Sequence, residues 1–134
     1  MMNACGYEQI DGKHYNKDSK AAPVVNEAAI RIVLILVIMV GWCTHILDVR
    51  GEFLHGTFEK GRQIYMEIPQ GFEKYYPTNQ LLLLKKTLYG TKQAAKAFWL
   101  KLLEAFYGMG YSRSKADPCL YFAWTMHGLI LWIS

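Results

Sequence analysis

An uninterrupted apolar run from Ile32 to Cys43 constrains the fold of this 134-residue chain more than any other segment. The run has 12 residues, whereas a helix that crosses a lipid bilayer needs about 20. Asn26 is a suitable N-cap, Glu27 places an acid in the first turn, and Gly41 can end a helix. The segment therefore predicts a buried helix over residues 27–41.

The composition indicates a folded domain rather than a disordered chain. Hydrophobic residues make up 52% of the sequence, and 134 residues suffice for one domain with a core. The net charge of +4 is mildly basic, which suits nucleic acid without identifying it as a partner.

Three widely spaced cysteines indicate a reduced, intracellular protein, cytoplasmic or nuclear, that is not secreted. Cys43, His45 and His55 do not have the spacing of a common zinc site.

The segment after the predicted helix carries the most informative carboxylate. The run from Cys43 to Leu47 predicts a strand that ends at Asp48, where a side chain can face a cleft. Mg²⁺ takes hard oxygen ligands, usually one or two carboxylates together with water. Glu104 is predicted on the solvated face of a helix, and Asp117 precedes a proline and predicts a turn. The sequence contains no Asp-Asp pair, so Asp48 is the one candidate ligand.

The remaining periodic segments predict strands and one further helix. Apolar residues recur at helical spacing between residues 92 and 108, and glycines follow. Four short runs predict strands, namely Ile64–Ile68, Leu81–Leu84, Cys119–Trp124 and Leu129–Ile133. The last two are predicted to form a hairpin with a four-residue loop at residues 125–128.

These elements predict an α+β fold in which one mixed or antiparallel sheet is backed by two helices. The sheet is expected to contain the Asp48 strand and the C-terminal hairpin. No repeat, linker or low-complexity run divides the sequence, which predicts a single domain over residues 1–134. The outer edge of the last strand is expected to be open and apolar, which favours aggregation.

Several segments of the sequence resemble copia-type retrotransposon reverse transcriptases. They are the Gly-Tyr-Glu-Gln, His-Tyr and Pro-Val-Val strings within residues 6–25, then Leu47–Gly56, which resembles the first catalytic motif, and then Ile64–Phe72, Leu88–Ala95, Ala116–Tyr121 and Leu129–Ser134. The resemblance implies the fingers and palm part of an RNA-directed DNA polymerase, a nucleotidyltransferase of a transposable element. In that family a paired-aspartate turn follows the last matched segment. The resemblance therefore predicts a truncated domain, inactive alone, that ends before this turn.

The resemblance also implies roles in the first motif. Asp48 would be the catalytic carboxylate and a ligand of Mg²⁺, the expected cofactor of the family. Backbone N–H groups of Val49, Arg50 and Gly51 would face the triphosphate. Phe53 matches the aromatic residue that lies beneath the sugar and excludes a 2′-hydroxyl by filling its volume.

In the later motif, the resemblance assigns residues to the nucleotide pocket. Tyr89 and Gly90 would line the pocket, and Gly90 would allow a close backbone approach. Lys92 and Gln93 would lie near the template and the incoming base. Glu52 departs from the family pattern, in which this position usually has a small residue. Its carboxylate would add like-charge repulsion beside the triphosphate.

The expected partners are an RNA or DNA template-primer, deoxynucleotides and the remainder of a polyprotein. One alternative is a non-catalytic nucleic-acid-binding remnant, whose lysine-rich face contacts the phosphate backbone. A second alternative is a small membrane protein anchored by residues 28–47, whereas the reverse transcriptase interpretation implies no membrane. Whether the chain is itself an enzyme is left open by the missing second carboxylate motif.

Overall fold

The structure, a computed structural model, describes residues 4–16, 21–77 and 79–134. Its helices are α1 (Glu27–Val40) and α2 (Ala94–Gly108). Its strands are β1 (Ile64–Glu67), β2 (Leu81–Leu84), β3 (Ser112–Arg113), β4 (Leu120–Thr125) and β5 (Gly128–Ile133). The predicted α+β class is confirmed. The chain divides into two compact units, one within residues 1–21 and 51–100 and the other comprising residues 22–50 and 101–134.

The first unit contains a two-stranded antiparallel sheet and the first half of α2. Strands β1 and β2 pair from Ile64↔Leu84 to Glu67↔Leu81, which confirms both predicted strands. Side chains alternate between half-buried and exposed along each strand, as expected where one face of a sheet is covered. Ala94 and Ala97 are buried at the start of α2, so the helix approaches its neighbours closely there.

The second unit is built on a three-stranded antiparallel sheet in the order β3-β4-β5. Phe106 of α2 is only 2% exposed and forms the centre of an aromatic cluster. Its ring centroid lies 4.5 Å from that of Tyr121, 5.1 Å from that of Trp132 and 5.3 Å from that of Tyr111. The second half of α2 is therefore held on the sheet by aromatic contacts.

The ends of α1 are those that the sequence predicts. The side chain of Asn26 accepts a hydrogen bond from the Ala28 N–H at 2.9 Å, and Gly41 adopts the left-handed conformation with φ of 70°. Asp117 is buried and accepts hydrogen bonds from the backbone N–H groups of Asn26 and Cys119, at 2.7 and 2.8 Å. The Asp117 carboxylate therefore connects the start of α1 to the turn before β4 through these two hydrogen bonds.

The prediction that α1 is buried is wrong. None of its residues is buried, and Ile38 and Met39 are 81% and 77% exposed. Apolar side chains occupy every face of this helix, and a single neighbouring surface cannot cover all of them. None of the helices within the described residues has the length and apolar character that a membrane crossing needs.

The predicted strand from Cys43 to Leu47 is also absent, and this segment is exposed without regular structure. A strand needs a neighbour for its backbone hydrogen bonds. Residues His45–Leu47 lie across a groove of about 210 Å³ from Leu131–Ile133, and the backbone of β5 pairs with β4 alone among the described strands. The single sheet of the prediction is therefore replaced by two sheets, and β5 is an edge strand within the described residues.

The C-terminal hairpin is confirmed, but its loop has two residues rather than four. Thr125 and Gly128 are the last pair of the ladder, which leaves Met126 and His127 as the loop. The Thr125 hydroxyl accepts from the His127 N–H at 3.2 Å and donates to the Gly128 carbonyl at 3.0 Å. Gly128 has φ of 119°, a conformation that favours glycine.

Exposed apolar side chains on α1 predict that the isolated chain is poorly soluble. We expect Ile38→Lys to raise the soluble fraction, because it interrupts the apolar surface at its most exposed position. Its effect on the free energy of unfolding should stay within about 0.5 kcal/mol. The measurement is the soluble fraction after centrifugation, with Val37→Lys at a half-buried position as the matched control. Equal solubility of wild type and Ile38→Lys would contradict this account of α1.

The three cysteines should differ in reactivity. Cys5 and Cys43 are exposed, whereas Cys119 is 1% exposed. Burial raises the pKa of the Cys119 thiol, and the Asp117 carboxylate raises it further. Because the thiolate is the reactive form, a thiol reagent should label two cysteines rapidly in the native chain and all three in denaturant. Rapid native labelling of Cys119, identified by peptide mass analysis, would show that this core is open.

Candidate active site

Asp48 lies in an exposed irregular segment of the second unit, together with Val49 and Arg50. Its carboxylate is therefore not held at the end of a strand. Among the described residues, no group of three or more His, Cys, Asp or Glu side chains could hold a metal ion. The segment of residues 48–50 supplies one carboxylate, that of Asp48, and does not by itself fit a centre for two metal ions.

A short 3-10 turn over Glu52–His55 positions the aromatic residue of the first motif. Gly51 precedes this turn in the left-handed conformation, with φ of 65° and ψ of 35°. The Leu54 N–H donates to the Gly51 carbonyl at 2.8 Å. Glycine is favoured here because a side chain would strain the backbone, so the motif's glycine starts the turn that carries Phe53.

Phe53 contacts residues from the later motif. Its ring centroid lies 4.7 Å from that of Tyr89 at an interplanar angle of 79°, and 6.4 Å from that of Phe98 at 87°. Both are edge-to-face arrangements, which aromatic quadrupoles favour. The fold thus brings together Phe53 and Tyr89, two residues far apart in the chain that the family resemblance predicts to lie at one nucleotide pocket.

Thr87 fixes the backbone of this aromatic cluster. It is fully buried, its hydroxyl donates to the Phe53 carbonyl, and its N–H donates to the Gly56 carbonyl at 3.1 Å. A Cβ added at Gly56 would lie 2.5 Å from the Thr87 hydroxyl and 2.9 Å from the Ala97 Cβ. Sequence reasoning missed Thr87, because nothing in its local pattern distinguishes it from an ordinary loop threonine.

Gly90 allows a close backbone approach, and the approaching backbone belongs to the N-terminal segment of the chain. The Ala4 N–H donates to the Tyr89 carbonyl at 2.7 Å. Gly90 has φ of 87°, and a Cβ there would lie 2.1 Å from the Ala4 carbonyl oxygen. Any side chain at position 90 would therefore displace the N-terminal segment.

Lys92 and Gln93 are engaged with the same N-terminal segment. The Gln9 side chain accepts from the Lys92 N–H at 2.7 Å and donates to the Gln93 side-chain oxygen at 3.1 Å. The Lys92 ammonium lies 3.4 Å from the Tyr15 hydroxyl and 5.0 Å from the centre of its ring. Sequence reasoning assigned no role to Gln9, although it lies in the Gly-Tyr-Glu-Gln stretch that resembles the family.

A family model described as reverse transcriptase (RNA-dependent DNA polymerase) matches residues 2–132. The chain therefore belongs to the reverse transcriptase family. It is 37% identical, over 87% of its length, to the retrovirus-related Pol polyprotein from transposon TNT 1-94 of Nicotiana tabacum. The corresponding polyproteins from transposons RE1 and RE2 of Arabidopsis thaliana are 35% and 33% identical over 88% of the chain.

These relatives confirm the resemblance to copia-type elements and extend far beyond the matched region. The chain spans about 8% of the length of each of these three polyproteins. It corresponds to the reverse transcriptase domain within them. No solved structure matches the chain.

The buried threonine provides a test of how the aromatic cluster is held. We expect Thr87→Val to lower the free energy of unfolding by about 1–2 kcal/mol, because the Phe53 carbonyl loses its donor and a hydroxyl-sized site becomes apolar. Thr57→Val is the matched control at an exposed position and should change stability by less than about 0.5 kcal/mol. Urea unfolding followed by circular dichroism gives both values. Equal effects of the two substitutions on the free energy of unfolding would contradict the structural role proposed for Thr87.

Proposed function

We propose that this chain contributes the first metal-binding carboxylate and one wall of the deoxynucleotide pocket to an RNA-directed DNA polymerase. The contact between Phe53 and Tyr89 carries the proposal. These residues come from two motifs separated in sequence, and their rings lie 4.7 Å apart. Convergence of the two motifs on one small surface is what a nucleotide pocket requires.

Phe53 is proposed to select deoxynucleotides. Its ring is half-buried, and Tyr89 and Phe98 support it edge-on. The Thr87 hydroxyl holds its backbone carbonyl. A ring restrained in this way can exclude a 2′-hydroxyl sterically, because it cannot move aside at low cost.

Mg²⁺ is the proposed cofactor, since hard divalent cations bind carboxylate and phosphate oxygens. When bound, it would neutralise charge on the transferred phosphate. Asp48 is the one ligand that we assign. A single exposed carboxylate does not fix two ions, so the isolated chain would need further ligands to hold both.

The proposed partners are an RNA or DNA template-primer and the rest of a longer polyprotein. Lys85 and Lys86 are exposed directly after β2, where they can contact phosphate groups without sequence specificity.

We also propose an intracellular location, because the three cysteines are free thiols.

The proposal predicts that catalysis depends on a larger domain. The purified chain should not extend a primer on an RNA template with Mg²⁺ and deoxynucleotides, because it has one matched carboxylate. A chimera in which residues 2–132 replace the matching span of the tobacco TNT 1-94 polyprotein should extend the primer. Asp48→Asn in the chimera should lower the rate at least about 100-fold, the scale expected for losing one electrostatic group of an active site.

Phe53→Val in the same chimera should raise the incorporation of ribonucleotides relative to deoxynucleotides, and Leu54→Val is the neighbouring control. An active chimera that tolerates Asp48→Asn would overturn the assignment of the carboxylate. Extension by the isolated chain that Asp48→Asn abolishes would mean that another carboxylate completes the site.

A further inference from the structure

The N-terminal segment of the first unit, residues 4–9, packs against the backbone of the later motif. The Ala4 N–H donates to the Tyr89 carbonyl at 2.7 Å. Gly6 is buried, and a Cβ added there would collide with the Gly90 carbonyl oxygen. Two backbones can approach so closely only where neither carries a side chain. The segment is therefore in direct contact with the backbone on both sides of the peptide bond that follows Tyr89.

One side chain, that of Gln9, joins this segment to the turn before α2. Its Oε1 accepts a hydrogen bond from the Lys92 N–H at 2.7 Å. Its Nε2 donates to the Gln93 side-chain Oε1 at 3.1 Å. A carboxamide has one acceptor oxygen and one donor nitrogen, and both are used here. Gln9 therefore holds the residues that follow Tyr89 and Gly90 at two points.

Gln93 depends on this contact, because its own side chain is buried. It is 8% exposed, its Oε1 accepts from Gln9, and its Nε2 donates to the His14 carbonyl at 3.4 Å. A buried oxygen that loses its donor destabilises the arrangement around it. Removal of the Gln9 amide would therefore disturb Gln93 as well as the Lys92 backbone.

We propose that Gln9 is a positioning residue for the deoxynucleotide pocket, acting through the Lys92 backbone and the Gln93 side chain. This inference rests on the proposed function, which assigns Tyr89 to a wall of that pocket. Thr87 restrains the chain before Tyr89 through its bond to the Phe53 carbonyl, and Gln9 restrains the chain after it. Loss of the second restraint should let the Tyr89 ring shift and weaken nucleotide binding, since binding groups act only in the correct geometry.

The test is primer extension by the chimera described above, with kcat and the KM for a deoxynucleotide measured separately. Gln9→Met keeps the length of the side chain and removes both hydrogen bonds, so KM should rise about tenfold while kcat changes less. A role confined to stability would lower the folded fraction, and with it kcat, without changing KM. Gln9→Glu retains an acceptor for the Lys92 N–H and should restore most of the wild-type KM.

Gln80→Met is the matched control at an exposed position and should leave both constants unchanged. Circular dichroism checks the fold of each variant. Gln9→Asn, whose amide is one methylene shorter and does not reach the Lys92 N–H, replaces Gln9→Met if that variant unfolds. An unchanged KM in the folded variant, or an equal rise in Gln80→Met, would overturn the positioning role.

Phe53→Val in the same chimera separates this inference from the proposed function. A changed sugar preference in Phe53→Val, together with an unchanged KM in Gln9→Met, would support the pocket and reject the role of Gln9 alone. A chimera that does not extend a primer would contradict the proposed function, and this inference with it.

Discussion

Thr87 is the residue on which the geometry of the first unit depends. Its two hydrogen bonds hold the Phe53 turn and the Gly56 backbone to the segment that precedes α2. Gly56 permits this approach because any Cβ would collide with Thr87 and Ala97. Phe53 and Tyr89 are in edge-to-face contact. The Thr87 hydroxyl donates to the backbone carbonyl of Phe53, and Tyr89 follows Thr87 by two residues, so this hydrogen bond holds the two rings near each other.

The second unit is held together in a different way, by one buried carboxylate and one aromatic cluster. Asp117 joins the start of α1 to the start of β4, and Phe106 joins α2 to the sheet through Tyr121 and Trp132. Neither contact reaches the segment that carries Asp48. Asp48 lies in an exposed segment, whereas Phe53 and Tyr89 are half-buried and in edge-to-face contact with each other.

Only part of the candidate site could be predicted from the sequence. The motif around Asp48 and Phe53 and the Tyr89-Gly90 pair could be identified, because each is a short local string that resembles its family. The roles of Gln9 and Thr87 could not be identified, because each acts through hydrogen bonds to residues distant in sequence. A local sequence pattern identifies the family that a motif resembles. It does not show which side chains contact each other in the folded protein.

The sequence by itself determined α1, α2 and the strands β1, β2, β4 and β5, because helix caps, apolar periodicity and turn residues act within a few positions of the chain. It did not predict the two-residue strand β3, which pairs with β4. The start of α1 at Asn26 and its end at Gly41 are local hydrogen-bonding and conformational effects of this kind. Only the tertiary structure decided that α1 is exposed and that residues 43–47 form no strand. Burial and strand pairing need a second surface, and the hydrogen bonds of a strand, unlike those of a helix, must be made with another segment.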